Sequence, residues 1–327
     1  MSGAFLIDTL RSIISASVPL VYASLGEMLT ERSGVVNLSL DGSILLAAMA
    51  GFAVALVTGS VFMGIVAAML VGAAIALLVA YAGIALGQNQ IAVGFTLTLL
   101  CADLSSFLGK PFVRTPGPSV AHWSIPLLVE VPVLGRALFD QNLLVYGSYL
   151  ALAIVWFWTA RTRAGLALRA VGERPEAAHA RGIPVNRLRY MYTGIGGALV
   201  GLAGASYSLS VKLGWSHRHT AGVGWIALAI VIFGGWHPLR VALGAYLFGA
   251  LRALGGILQP IFPNLPTQVF QVAPFALMIV ALLVVSGQEP DAITGAEGGP
   301  RSRVRSLVRR ALSGRPPAGL GKRFEAS

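Results

Sequence analysis

Few of the 327 residues have side chains able to do chemistry, and most of these sit inside apolar runs. Asn37, Ser39 and Asp41 alternate at the start of one run, and Asp103 lies deep in another. Gln88, Asn89 and Gln90 make a polar turn, with Phe95 one helical turn beyond it. Trp225 opens a short apolar stretch, and Gln268 and Gln271 lie near the start of the last long one. A polar group at membrane depth is expensive unless it faces protein or water. Asn37, Ser39 and Asp41 therefore either line or gate a path for a polar cargo, or satisfy backbone left open at a broken helix. Asn89 and Gln90 are expected to bond across helices, and Asp103 is either functional or paired with Lys110. Phe95 and Trp225 offer stacking surfaces, although Trp is also common in membrane-interface belts. Gln268 and Gln271 are placed facing the same path.

Catalytic constellations are absent from the sequence. It has no Gly-x4-Gly-Lys-Ser/Thr phosphate loop, no His-Glu-x-x-His and no Gly-x-Ser-x-Gly. His217 and His219, two apart and without an acidic partner, make a weak metal site, and none is expected. Cys101 is the one cysteine, which excludes an intrachain disulfide.

The elements that must position these groups follow from composition. Hydrophobic residues are 56% and charged residues 11%, against roughly 25% charged in soluble chains. Mean hydropathy is +0.75. That much apolar surface needs a bilayer as its solvent. Apolar runs near the roughly 20 residues that cross a bilayer are Leu10–Leu29, Leu38–Thr58, Val61–Leu86, Ile91–Leu108, Leu143–Trp158, Tyr190–Val211, Leu239–Leu258 and Thr267–Val285. The run between Gly222 and Gly235 is too short and is expected to be re-entrant or half of a broken helix. The predicted fold is all-α, a polytopic bundle of about eight spans plus that short piece. Small residues such as Gly72, Gly196, Gly197, Gly201 and Gly204 predict close helix packing. No cleavable signal peptide is expected, since Met1–Asp8 lacks a positive n-region.

Charge gives an orientation. The formal charge of +11 is concentrated in two places, Arg161–Arg189 and the tail from Arg301 to Arg323. Basic segments beside spans are the cytoplasmic pattern, so nucleic acid is not the expected partner and membrane lipid is. Seven arginines between Arg161 and Arg189 place that loop inside, and the proline-rich loop Gly109–Asn142 outside. The N-terminus is then extracytoplasmic and the C-terminus cytoplasmic, in a cell membrane. Residues 1–286 form the transmembrane domain, and 287–327 a basic tail expected to be disordered.

Within the arginine-rich loop, Pro175 suits a helical first turn and Glu176 its positive end, and Gly182 and Pro184 stop it. A two-turn helix, Pro175–Arg181, is predicted between two spans. Its small residues Ala177, Ala178 and Ala180 suit insertion into a groove on another protein; the bland alternative is an amphipathic connector lying on the membrane.

Here the sequence resembles a known family. Glu176-Ala177-Ala178 with Gly182 is similar to the coupling loop of ABC importer permeases. The stretch Gly26–Gly42, the turn Gly87–Ile91 and the stretch Gly222–Gly244 resemble segments of nucleoside and simple-sugar permeases (the branched-chain amino acid/ribose permease-like group). The likeness runs from about Pro19 to Val285. It implies a type II-like importer subunit that pairs with a second permease, an ATP-binding protein with two domains often fused, and an extracytoplasmic binding lipoprotein. The implied cargo is nucleosides or nucleobases, with simple sugars as the alternative. Glu176, Ala177, Ala178, Gly182, Arg174 and Arg181 are the implied coupling residues. The chain itself is then no enzyme and needs no cofactor, ATP and Mg being bound by the partner. A secondary transporter would have no need of the docking helix, and a membrane enzyme would need acids, bases or nucleophiles at motif spacing.

Overall fold

The computed structural model describes residues 3–131, 134–220, 222–259 and 314–325, with single helical positions at 269, 272, 276 and 279. Its long helices are α1 (Gly3–Arg32), α2 (Leu40–Thr58), α3 (Val61–Ile84), α4 (Gln90–Leu108), α6 (Leu143–Arg161), α9 (Val185–Ser206) and α11 (Pro238–Leu258). All seven are long and apolar enough to cross a membrane. Shorter helices are α5 (Leu134–Phe139), α7 (Arg163–Glu173), α8 (Pro175–Ala180) and the apolar α10 (Val223–Phe233). Two three-residue strands, β1 (His122–Ser124) and β2 (Asp140–Asn142), pair antiparallel. The chain is a multi-pass helical membrane protein. The expected span Thr267–Val285 lies outside the described residues, apart from the four single positions.

Helix α1 is the axis of the bundle, packed against α9, α10 and α11. It starts well before the expected Leu10, because its first two turns lie beyond the apolar run. Pro19 sits inside it, as proline can in a helix packed among other spans. Small residues let the helices close up. A Cβ on Gly72 would strike the Gly197 carbonyl, and one on Gly201 the Ala68 carbonyl, so α3 and α9 meet backbone to backbone. Gly26 and Gly196 bring α1 and α9 together in the same way.

The ends are set by local polar groups. Asn89 caps α4 by accepting from the Ile91 and Ala92 amides (3.0 and 3.3 Å), and Asn142 caps α6 through Leu144 and Val145. Asn89 thus does not bond across helices as expected: its side chain is used up at its own helix start. Thr162 caps α7 by accepting from the Gly165 amide at 3.0 Å. Helix α7 replaces part of what was read as loop, and the first turn of α9 replaces more. Residues 314–325 also depart from the expected disorder. They lie across the arginine-rich end of the bundle with Pro317, Gly319 and Phe324 buried.

Candidate translocation and docking sites

The connection between α1 and α2 does not leave the bundle as a simple turn. Several of its amides and carbonyls find side-chain partners. Asn37 Oδ1 accepts from the Ser39 amide (3.1 Å) and hydroxyl (2.6 Å), and Ser39 Oγ lies 3.1 Å from Ser43 Oγ. Gln90 reaches across from α4 and accepts from the Val36 amide at 2.8 Å, while Thr98 donates to the Leu38 carbonyl at 2.7 Å. Asn37 and Ser39 are buried. Their groups bond within an open stretch of backbone at a helix break.

Asp41 completes the break. Its Oδ1 accepts from the amides of Gly222 (2.8 Å) and Gly224 (3.0 Å), at the first turn of α10. The carboxylate from α2 thereby caps a half-helix that no local side chain caps, and faces the positive end of its dipole. A Cβ on Gly224 would collide with the Asp41 backbone, so the approach depends on glycine there. Trp225 follows directly. Its ring lies 6.2 Å from that of Phe95 on α4, tilted by 47°, and Phe95 is half exposed. On the same helix Asp103 is exposed. Lys110 does not pair with it: the ammonium lies over the Phe107 ring, 5.7 Å from its centroid. Gln268 and Gln271 lie outside the described residues.

Two acids missed as site residues sit lower on α1. Glu27 is fully buried and accepts from the Asn37 amide at 3.4 Å. Glu31 accepts from the Trp236 indole, in a neighbouring turn, at 2.5 Å. Trp236 follows Gly235 in the turn from α10 to α11. The two acids thus hold both flanks of the broken region to α1.

At the arginine-rich end, α7 and α8 form a tethered pair. Helix α8 ends in a glycine-terminated turn, with the Gly182 amide bonded to the His179 carbonyl (2.8 Å) and Ile183 to Ala178 (3.1 Å). Gly182 has φ of +79°, which is why a glycine stops the helix here. Pro175 and Ala178 face inward, while Glu176, Ala177, Arg174 and Arg181 are exposed. A groove of about 330 Å³ runs beside α8, lined by Ala170, Glu173, Arg174, Ala177, Arg181 and Ile183 among others. Of the implied coupling residues, Arg174, Glu176, Ala177, Arg181 and Gly182 are therefore exposed, whereas Ala178 faces inward.

The opposite end carries the hairpin and a cavity of about 600 Å³ lined by Arg114, Lys212, Trp215, Ser216 and His219 among others. His219 stands between Trp215 (4.7 Å) and Tyr207 (5.3 Å), and burial, with Lys212 near, pulls its pKa below the ordinary value. Tyr207 begins a π-helical turn, Tyr207–Val211, and accepts from Arg252 of α11 at 2.8 Å. Asp140 takes Ser124 and His122 as donors with Arg11 alongside, which holds its carboxyl below the usual range. Among the described residues no three His, Cys, Asp or Glu side chains gather as metal ligands would.

A bundle of apolar spans, a helix broken and capped at depth, and a rigid stub tethered at one end define a membrane permease. The chain belongs to the family described as the branched-chain amino acid transport system permease component, whose model matches residues 9–282. It is 39% identical, over 77% of its length and 78% of the relative's, to a Haloferax volcanii protein provisionally named a glucose ABC transporter permease. It is 33% identical to the guanosine ABC transporter permease of Bacillus subtilis, over 85% of this chain and 92% of that one. It is 32% identical to the nucleoside ABC transporter permease of Lactococcus lactis subsp. cremoris, over 86% and 94%. No solved structure matches it. The chain is a permease subunit of an ABC importer.

Proposed function

We propose that this permease forms half of an import path for nucleosides or nucleobases. It pairs with a second permease, and with an ATP-binding protein that binds ATP and Mg and does the hydrolysis. An extracytoplasmic binding lipoprotein delivers the cargo. In this reading the arginine-rich end faces the cytoplasm and the hairpin end faces out, in keeping with retention of arginine on the inner side. The observation that carries the reading is α8, a short helix fixed by α7 on one side and α9 on the other, with Glu176, Ala177 and Arg181 exposed along its edge. Fixed at both ends, such a stub transmits displacement instead of absorbing it.

The cargo follows from the Phe95–Trp225 pair, whose tilted rings beside the capped break supply a stacking surface for a flat base. Asp103 and Thr96, seven residues apart on α4, share a helix face near Phe95 and add hydrogen-bonding groups to the path. The names of the Bacillus and Lactococcus relatives support this class. The Haloferax relative, at higher identity, favours a simple sugar as the second reading. A whole-cell competition panel decides between them. Unlabelled nucleosides and bases are expected to suppress uptake of a labelled nucleoside; suppression of labelled glucose uptake by glucose, galactose or ribose establishes the sugar reading instead. In either case Glu176→Lys and Gly182→Asp are expected to abolish uptake in protein that still reaches the membrane. Unchanged uptake removes the docking role.

A further inference from the structure

Residues 314–325 tie together elements from four parts of the chain. The Gly319 amide donates to the Gly172 carbonyl at the end of α7 (2.7 Å), and the Gly321 amide to the Gly34 carbonyl just past α1 (2.9 Å). The Lys322 carbonyl accepts from Arg189 Nη1 at 2.8 Å. Arg189 is 1% exposed, and Lys322 is the one hydrogen-bond partner it has among the described residues, with Nε and Nη2 unpaired. A buried guanidinium is costly without acceptors, so the strap's carbonyl satisfies a need of the bundle. Gly34, at φ +93°, makes the approach possible: a Cβ there would lie 2.9 Å from Arg189 Nη2 and 3.3 Å from the Gly319 carbonyl oxygen. The Arg323 guanidinium lies against Gly87, in the turn between α3 and α4.

The strap ends under α8. Phe324 is 7% exposed and forms one apolar cluster with Val171 of α7, Ala178 of α8 and Val185 of α9. Its ring lies 5.3 Å from the His179 ring. Ala178 is small, and the phenyl ring fills space beneath α8 beside Val171 and Val185. The same twelve-residue stretch therefore props the stub from below and anchors it to the connection that holds the broken helix.

We propose that this strap sets the pose of α8 for the ATP-binding partner, which makes Phe324 a positioning residue for docking. The proposal rests on the docking role given to α8 above. The strap acts through α8: Phe324 fixes the tilt of Ala177 and Glu176, and the Gly319 and Gly321 bonds fix the strap.

The test uses the full transporter purified in nanodiscs, comparing the parent, Phe324→Ala, Phe324→Leu, a stop codon in place of Gly314, and Glu176→Lys. Heating exposes Cys101 to a fluorogenic thiol dye, which reports the fold of the bundle. Co-purification of the ATP-binding protein and ATP hydrolysis per complex report docking. Phe324→Ala is expected to keep the parental Cys101 profile while recovery of the partner falls at least about fivefold; the truncation, which also strips Arg189 of its acceptor, is expected to lower both the recovery and the Cys101 midpoint. Phe324→Leu, which refills the space, restores recovery. Parental recovery and hydrolysis in both Phe324→Ala and the truncation, with Glu176→Lys defective, overturns the strap and leaves the docking role of α8 standing. Parental behaviour in Glu176→Lys as well overturns both. A lowered Cys101 midpoint in Phe324→Ala makes that ring part of the fold and also overturns the proposal.

Discussion

Asp41 offers the sharpest quantitative test of the broken-helix geometry. Its carboxylate is the acceptor for two amides at the start of α10, at 2.8 and 3.0 Å, the first part-buried and the second buried. Asp41→Ala leaves both donors unmatched, and each unmatched buried donor costs about 1–3 kcal/mol, or about 2–6 kcal/mol together. Asp41→Asn keeps an acceptor oxygen in place and loses the charge facing the helix dipole, a smaller cost of about 1–2 kcal/mol. For a chain of this size each kcal/mol moves the unfolding midpoint by roughly 2 °C. The expected shifts are then about 4–12 °C for Ala and about 2–4 °C for Asn. The chain carries its own reporter, since its one cysteine, Cys101, is buried on α4 one turn from Thr98, which bonds the same α1–α2 connection. Dye reaction with Cys101 during a temperature ramp reads the midpoint directly, and uptake is measured in parallel. A midpoint for Asp41→Ala within about 1 °C of the parent refutes the capping argument, as does equal loss in the Ala and Asn variants.

Gly201→Leu forces a side chain into the Ala68 carbonyl and is expected to lower the Cys101 midpoint or prevent accumulation, at a cost of about 1–3 kcal/mol or more. Gly194→Ala is the matched control: its new methyl meets Leu77 at ordinary distance, so the midpoint should hold or rise slightly. His219 gives a pH test, with the sign fixed by its lowered folded pKa. The unfolded state then binds the extra proton first, so its contribution is complete above the unfolded value of about 6.5 and declines as pH falls toward the folded one. The dye midpoint should drop on acidification below about pH 6.5, and His219→Gln should remove part of that drop. An identical pH profile in the variant counts against it.

The described spans were legible because apolar length alone specifies a crossing helix, and the run at Gly222–Gly235 was too short for a full crossing. Helix α8 was legible from Pro175, Glu176 and Gly182, whose local rules operate without help from the rest of the fold. The partners of the polar residues were not. Asn37 and Ser39 spend their groups on their own loop, Asn89 spends its on its own helix start, and Asp41 reaches a glycine pair 181 and 183 positions away. Sequence spacing shows that a polar group sits at depth but not which distant amide will meet it. Helix α7 was read as loop because its arginines mask an apolar face that the protein buries at Leu168 and Val171. Phe324 was overlooked because a lone aromatic among Gly, Pro and Arg carries no periodic signal. Arg189 was counted with the inside-positive residues, although the fold buries it.

The central place of α1 has a consequence for biogenesis. The first span to leave the ribosome is the one whose flanks are later filled by α9, α10 and α11. Until the turn before α11, the last of the seven described spans, has been made, Glu27 and Glu31 wait without the Trp236 indole that one of them will accept from. Nascent chains cut short before that point hold an unsheltered acidic helix. Quality-control proteases that survey the membrane for exposed polar groups should therefore discriminate complete from incomplete copies by this helix alone.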